Sequence, residues 1–314
     1  MTPLPLPRTS LSLSPLCYGT ADWASYDFDH LRRLYTTFRG AGGNAFDSAH
    51  CYAFWTNNLG DPERLLGKLV RQYESNRSDV VVITKGGHVG MPPGYPRPDK
   101  YIAPELLAKD FAESLERLDL PYVDLYLLHR DELTTPAEEH LHALQDFVRK
   151  GQIKHIGVSN WLPERIEHAN KVAAERGWAP FVINQAFHNL ATMTDPTKGD
   201  PTTPFVTEAH LPWYRAHKFP MLAFSANANG FFSTGKSRWG NYDNPVSLAR
   251  LGRCRAIAAA RGFTPCQVAL AFLLQHPFPC FPLFGTGKLD HLAETLAATR
   301  LELTPAELAS LTAA

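Results

Sequence analysis

The chain has 314 residues, 44% of them hydrophobic, and 31 basic side chains balance 31 acidic ones. A formal charge of zero argues against a general nucleic-acid or anionic-membrane binder, since both need a basic surplus. No apolar run reaches spanning length and the opening MTPLPLPRTS does not read as a signal peptide, while five scattered cysteines without a CxxC suit a reducing cytoplasm and give no metal motif.

In chain order, short apolar runs alternate with longer helical patterns. LCYGT (16–20) precedes a helix over 27–40, and NAFDS (44–48) precedes one over 61–74. DVVVITK (79–85) is followed by a helix over 104–119, and VDLYLLH (123–129) by one over 136–150. IKHIGVSN (153–160) leads to a helix over 162–176, and FVINQ (181–185) to one over 204–218. PMLAFS (220–225) leads to helices over 246–261 and 265–276, and CFPLFGT (280–286) to one over 289–298. An extra helix is expected over 303–311. Most of the apolar runs lack alternation, which suits parallel strands covered on both faces. Eight strands with intervening helices predict a closed (β/α)8 TIM barrel, with residues 1–314 as one domain. Three long connections, 86–103, 186–203 and 226–245, follow strands and so emerge at the C-terminal mouth, where barrel sites sit.

The last residues of the strands then become informative. They are Asp47, Lys85, His129, Ser159 with Asn160, and Gln185. A buried carboxylate needs a cation, and Lys85 ends the strand after that of Asp47. Tyr52, five positions beyond Asp47, can fold back over the pair. A phenol has an ordinary pKa of about 10, and a cation about 4 Å away interacts by roughly 4 kcal/mol at an effective dielectric of ~20. Lys85 is therefore expected to bring the Tyr52 phenol down and make it a general acid toward a carbonyl oxygen, with His129 orienting that oxygen.

Asp47 with Tyr52, Lys85 in ITKGG and His129 in LLHRD resemble the Asp–Tyr–Lys–His tetrad of the aldo-keto reductases. GVSNW (157–161), NQ (184–185), SANANGFFSTGK (225–236) and GTGKLDHLAETL (285–296) are similar to that family's nicotinamide- and phosphate-binding segments. The resemblance runs in order from about residue 9 to 312. It implies NAD(P)H bound across the barrel mouth without a Rossmann fingerprint, and Lys288 at a helix start makes NADP the expected cofactor, with NAD as the alternative. It implies that Ser159, Asn160 and Gln185 meet the carboxamide, with Phe187 or His188 near the nicotinamide ring. Ser225, Gly230, Gly285, Thr286 and Gly287 fall in the phosphate-binding segments. Lys288 is placed for a 2′-phosphate with His291 nearby, and Glu294 matches a residue that contacts the adenine amine.

Trp23, Phe54, Trp55 and Trp161 follow strands and are candidate walls of a substrate pocket, joined by the polar His88 and Arg130. The expected substrate is a small carbonyl compound or alcohol, sugar-like by the mix of aromatic and polar groups, and no metal is expected. Two other readings stay open: a Schiff-base aldolase using Lys85, and a non-catalytic cofactor-sensing subunit on the same fold.

Overall fold

Two short strands, β1 (Leu4–Pro5) and β2 (Ser12–Leu13), form an antiparallel hairpin ahead of the barrel. Then come β3 (Cys17–Gly19), β4 (Ala45–Asp47), β5 (Val81–Gly86), β6 (Val123–Leu128), β7 (Ile153–Ser159), β8 (Phe181–Phe187), β9 (Met221–Phe224) and β10 (Cys280–Phe284). These eight are parallel and close into a barrel in the order β10-β3-β4-β5-β6-β7-β8-β9. The structure is a computed structural model that describes residues 1–90, 100–195, 200, 202–237 and 240–313. Parts of all three long connections therefore lie outside the described residues.

Eleven helices are present among the described residues. Those that surround the barrel are α1 (Phe28–Gly40), α2 (Asp61–Tyr73), α3 (Pro104–Leu118), α4 (Ala137–Arg149), α5 (Pro163–Arg176) and α6 (Leu211–His217). They are followed by α7 (Phe231–Thr234), α8 (Pro245–Arg261), α9 (Pro265–Leu274), α10 (Leu289–Ala297) and α11 (Pro305–Thr312). Their starts follow local chemistry. Thr264 and Gln267 form a reciprocal capping box at α9, Thr304 and Glu307 form one at α11, and proline sits in the first turn of both. No single helix among the described residues is long and apolar enough to cross a membrane.

Period-two alternation divides the strand residues into two cores. Phe46, Val82, Tyr126 and Val158 face the helices and join the larger cluster. Ala45, Val81, Ile83, Leu125, Leu127 and Ile183 fill the barrel interior, together with Leu6 and Leu13 from the hairpin. The inward rows continue toward the C-terminal ends as Ala45–Asp47, Val81–Ile83–Lys85, Leu125–Leu127–His129 and Ile183–Gln185. The same alternation that packs the interior thus delivers polar side chains to the mouth.

Three features differ from the sequence expectation: the start of α6, the short α7 within the connection 226–245, and the hairpin. The helix expected over 204–218 begins only at Leu211, because the preceding segment is held in extended contact with β8. There Val206 donates its N–H to the Phe187 carbonyl at 2.8 Å, and Phe205 packs edge-on to Phe187. The hairpin was not expected at all, since two-residue strands carry no readable period.

Candidate active site

Asp47 and Lys85 are both fully buried, and the Lys85 Nζ lies 2.8 Å from Asp47 Oδ2. The same ammonium donates to the Ser48 carbonyl at 2.6 Å and to the Tyr52 hydroxyl at 3.0 Å. All three of its protons are therefore used. Asp47 is held from the far side as well, because Gln185 Nε2 donates to its Oδ1 at 2.8 Å. The Tyr52 hydroxyl lies 3.4 Å from Asp47 Oδ2. His129 is buried next to the group, its ring centroid 6.0 Å from that of Tyr52 and 4.7 Å from that of His88.

The expected direction for Tyr52 is reversed. Burial, and then the charge of Asp47, push its phenol well above the ordinary range. The reason is that Asp47 sits nearly as close to the phenol as Lys85 does, and burial penalises a phenolate strongly. Burial also lowers Lys85, with Asp47 opposing it, and lowers His129 well below the ordinary imidazole range, followed by the charges of His88 and Arg130. The resting arrangement is a neutral phenol whose oxygen accepts from an ammonium, beside a neutral imidazole.

A cleft of about 350 Å³ opens directly onto Asp47 and Tyr52. Gly19, Trp23 and Tyr26 line it from β3 and the loop that follows, Phe224, Ser225, Asn227 and Asn229 from β9 and its loop, and Phe284, Gly285 and Thr286 from β10, which lies between those two strands in the ring. Ser225 and Asn229 both adopt positive φ (54° and 52°), which turns the backbone sharply along the cleft wall. The next turn leads into α10, with Lys288 at its N-cap and Thr286 Oγ1 accepting the Lys288 N–H at 3.1 Å. Gly287 is packed under Tyr26, whose ring atoms would lie 2.0 Å from an added Cβ. His291 is exposed on the first turn of α10. Glu294 instead faces α9, where its carboxylate accepts the Thr264 hydroxyl at 2.7 Å.

At the other side of the mouth, Ser159 Oγ donates to the Gln185 carbonyl at 3.0 Å. Asn160 adopts φ +64° and donates Nδ2 to the carbonyl of His129 at 3.1 Å. Its Oδ1 is buried with no hydrogen-bond partner among the described residues. A buried acceptor left open in this way suits an incoming amide N–H, and the positive-φ turn at 225–230 with the glycine turn at 285–287 suits phosphate. These residues fit a nicotinamide dinucleotide.

The other predicted wall residues separate. Phe54 lies against Trp55 and His88, and Trp55 is 53% exposed. Arg130 is mostly buried, 3.6 Å from Asp200, and donates to the His129 carbonyl at 3.0 Å. Trp161 does not wall the cleft. It is buried against Phe181, and its indole donates to the Arg130 carbonyl at 3.2 Å, so it braces the strand end from behind. Gly230 caps α7 behind Asn229. His188 is likewise turned away, bonded to the Val206 carbonyl and to His276, whereas Phe187 stacks on Phe224 at 5.1 Å. Phe224, rather than Phe187 or His188, reaches the cleft, and sequence reasoning missed it although it immediately precedes Ser225. Tyr26 was missed too, three residues after Trp23 in the same loop.

Comparison with known proteins agrees with this architecture. The profile of the aldo/keto reductase family matches residues 15–314. The chain is 28% identical to a probable voltage-gated potassium channel subunit beta of Oryza sativa subsp. japonica, covering 93% of this chain and 89% of the relative. It is 26% identical to versiconal hemiacetal acetate reductase of Aspergillus parasiticus, with 93% and 89% covered. It is 27% identical to probable aldo-keto reductase 1 of Glycine max, with 84% and 72% covered.

Proposed function

From the premise that the chain belongs to the aldo/keto reductase family, we propose that it reduces an aldehyde or ketone to an alcohol, or runs the reverse, with NADP(H) as the hydride carrier. The observation that carries this reading is the Lys85 ammonium 3.0 Å from the Tyr52 hydroxyl, which itself lines the cleft. When bound there, the nicotinamide supplies or takes the hydride. Tyr52 holds a proton at its hydroxyl and delivers it to the carbonyl oxygen, typically a contribution of ~10²–10⁴-fold. Lys85 donates to the phenol oxygen and offsets the charge that grows there as the proton leaves. Asp47 keeps Lys85 charged, and Gln185 fixes Asp47. His129, neutral, is within reach of the same oxygen and orients it. Asn160 would hold the carboxamide through its open Oδ1, and Phe224 would line the part of the cleft that the nicotinamide takes.

Phe54, His88 and Arg130 surround the position that a substrate would take beyond Tyr52, which favours small, hydroxylated carbonyl compounds. Lys288 at the start of α10 favours NADP over NAD. A cytoplasmic location fits the free, buried cysteines.

The names of several relatives raise a second reading, in which the chain is a cofactor-binding subunit of a channel. The complete set of Asp47, Tyr52, Lys85 and His129 favours turnover. NADPH absorbance with a panel of aldehydes and ketones separates the two. Tyr52→Phe is expected to abolish turnover while the affinity for NADPH stays near wild type, because only the proton donor is removed. Activity within a few-fold of wild type in that variant would overturn the assignment, and a wild type that binds NADPH but turns over no carbonyl would favour the subunit reading.

A further inference from the structure

Cys51, His88 and His129 come from three different loops at the barrel mouth, so no spacing along the chain reveals them together. One ligand atom from each lies within 4.8 Å of the others. One edge runs from Cys51 Sγ to His129 Nδ1, at 3.5 Å. Zinc bonds of about 2.3 Å to sulfur and about 2.0 Å to nitrogen, at tetrahedral angles, place ligand atoms roughly 3.5 Å apart. The Cys51–His129 edge therefore already has the separation that a shared zinc requires.

The remaining ligand needs a modest approach. His88 is only partly buried and follows Gly87 at φ +74°. Its Nδ1 lies 2.7 Å from the Gly90 carbonyl, the kind of outer partner that orients a metal-bound imidazole. Cys51 and His129, by contrast, are buried and fixed. One sulfur and two imidazoles form a donor set that selects a thiophilic cation over magnesium or calcium.

We propose that Cys51, His88 and His129 bind one Zn²⁺ beside Tyr52, and that the bound ion inhibits carbonyl turnover. Cys51 coordinates as the thiolate and its proton passes to solvent. Three protein ligands leave a fourth position for water. The ion pins His129 through Nδ1, the atom that faces Cys51, and holds His88 inward, across the position that the carbonyl compound would occupy. Binding itself stands apart from the proposed reductase activity; only the inhibition rests on it.

The test uses Co²⁺ as a spectroscopic substitute on the purified full chain. Wild type is expected to develop a thiolate-to-cobalt charge-transfer band that saturates at one equivalent and is bleached by Zn²⁺. Cys51→Ala is expected to lose the band, and Cys51→Ser, which keeps the side-chain volume, is expected to lose it as well. With NADPH and a carbonyl substrate, Zn²⁺ should suppress wild type reversibly on chelation and leave both variants active. A missing band in wild type, or a band that survives both substitutions, overturns the site. Equal zinc inhibition of wild type and variants overturns the inhibitory role even if the band behaves as expected.

Discussion

Replacing Lys85 by methionine tests how the site is paid for in stability. The ammonium makes three hydrogen bonds, to Asp47 at 2.8 Å, Ser48 at 2.6 Å and Tyr52 at 3.0 Å. Methionine fills similar volume and makes none of them. Asp47 keeps the Gln185 amide at 2.8 Å and the Tyr52 hydroxyl at 3.4 Å, but it loses its cation while remaining fully buried. Removing one partner of a buried pair costs about 3–5 kcal/mol, against ~0–1 kcal/mol for an exposed pair. Urea denaturation followed by circular dichroism should show a loss in the larger range, together with loss of turnover. Adding Asp47→Asn to Lys85→Met should restore much of the stability and none of the activity, because no unpaired charge is then left inside. A loss for Lys85→Met below about 1 kcal/mol, or a double variant no more stable than the single one, would refute the reasoning.

Lys288→Ala is expected to raise KM for NADPH and leave that for NADH nearly unchanged, with added salt narrowing the wild-type preference; a wild type that uses both cofactors equally would contradict it. Gly67→Ala pits a helix-propensity gain of about 1 kcal/mol against a clash. Its Cβ would lie 1.9 Å from the Leu118 carbonyl, where α2 meets the end of α3. Overpacking against backbone costs about 1–3 kcal/mol or more, so a net loss in melting temperature is expected and a gain would rule out this close approach. His188 is lowered to about 4, first by burial and also by Arg250, with the Val206 hydrogen bond and Glu208 opposing. The unfolded chain therefore takes up a proton below pH ~6.5 while the fold does not until about 4, so stability falls as pH drops through that window, by about 3 kcal/mol in full. His188→Gln should flatten that slope in urea titrations at several pH values, and an unchanged slope would show that other groups set it.

The barrel was legible because its cause is periodic. Strand runs and helical patterns followed each other with few interruptions, and most boundaries fell within a residue or two of the observed elements. Asp47 and Lys85 were legible for a different reason: a buried charge demands a partner, and adjacent strand ends supply one. What escaped notice depended on side-chain direction or on loops. Trp161 follows a strand as Trp23 does, yet it turns behind the mouth, while Glu294 turns to Thr264 to complete a helix start. Tyr52 departs from the expectation because burial and the charge of Asp47 outweigh Lys85. Cys51 is one of five scattered cysteines that give no metal motif, and only the folded loops bring it to His129.

The Gln185–Asp47 hydrogen bond reaches between β8 and β4, which have three strands between them in either direction around the ring. It is a tie across the full diameter of the barrel. During synthesis Tyr52 and Lys85 emerge early, but the tie cannot form until β8 has been made and the ring has come together around it. Until then Asp47 and Lys85 are a pair of charges without a dry place to sit, which favours their staying hydrated and the first strands staying open. The chemistry and the closing of the ring are thus one event. A chain severed between β4 and β8 should regain its proton relay only when the two pieces reassemble, and not in proportion to how much of either piece is structured.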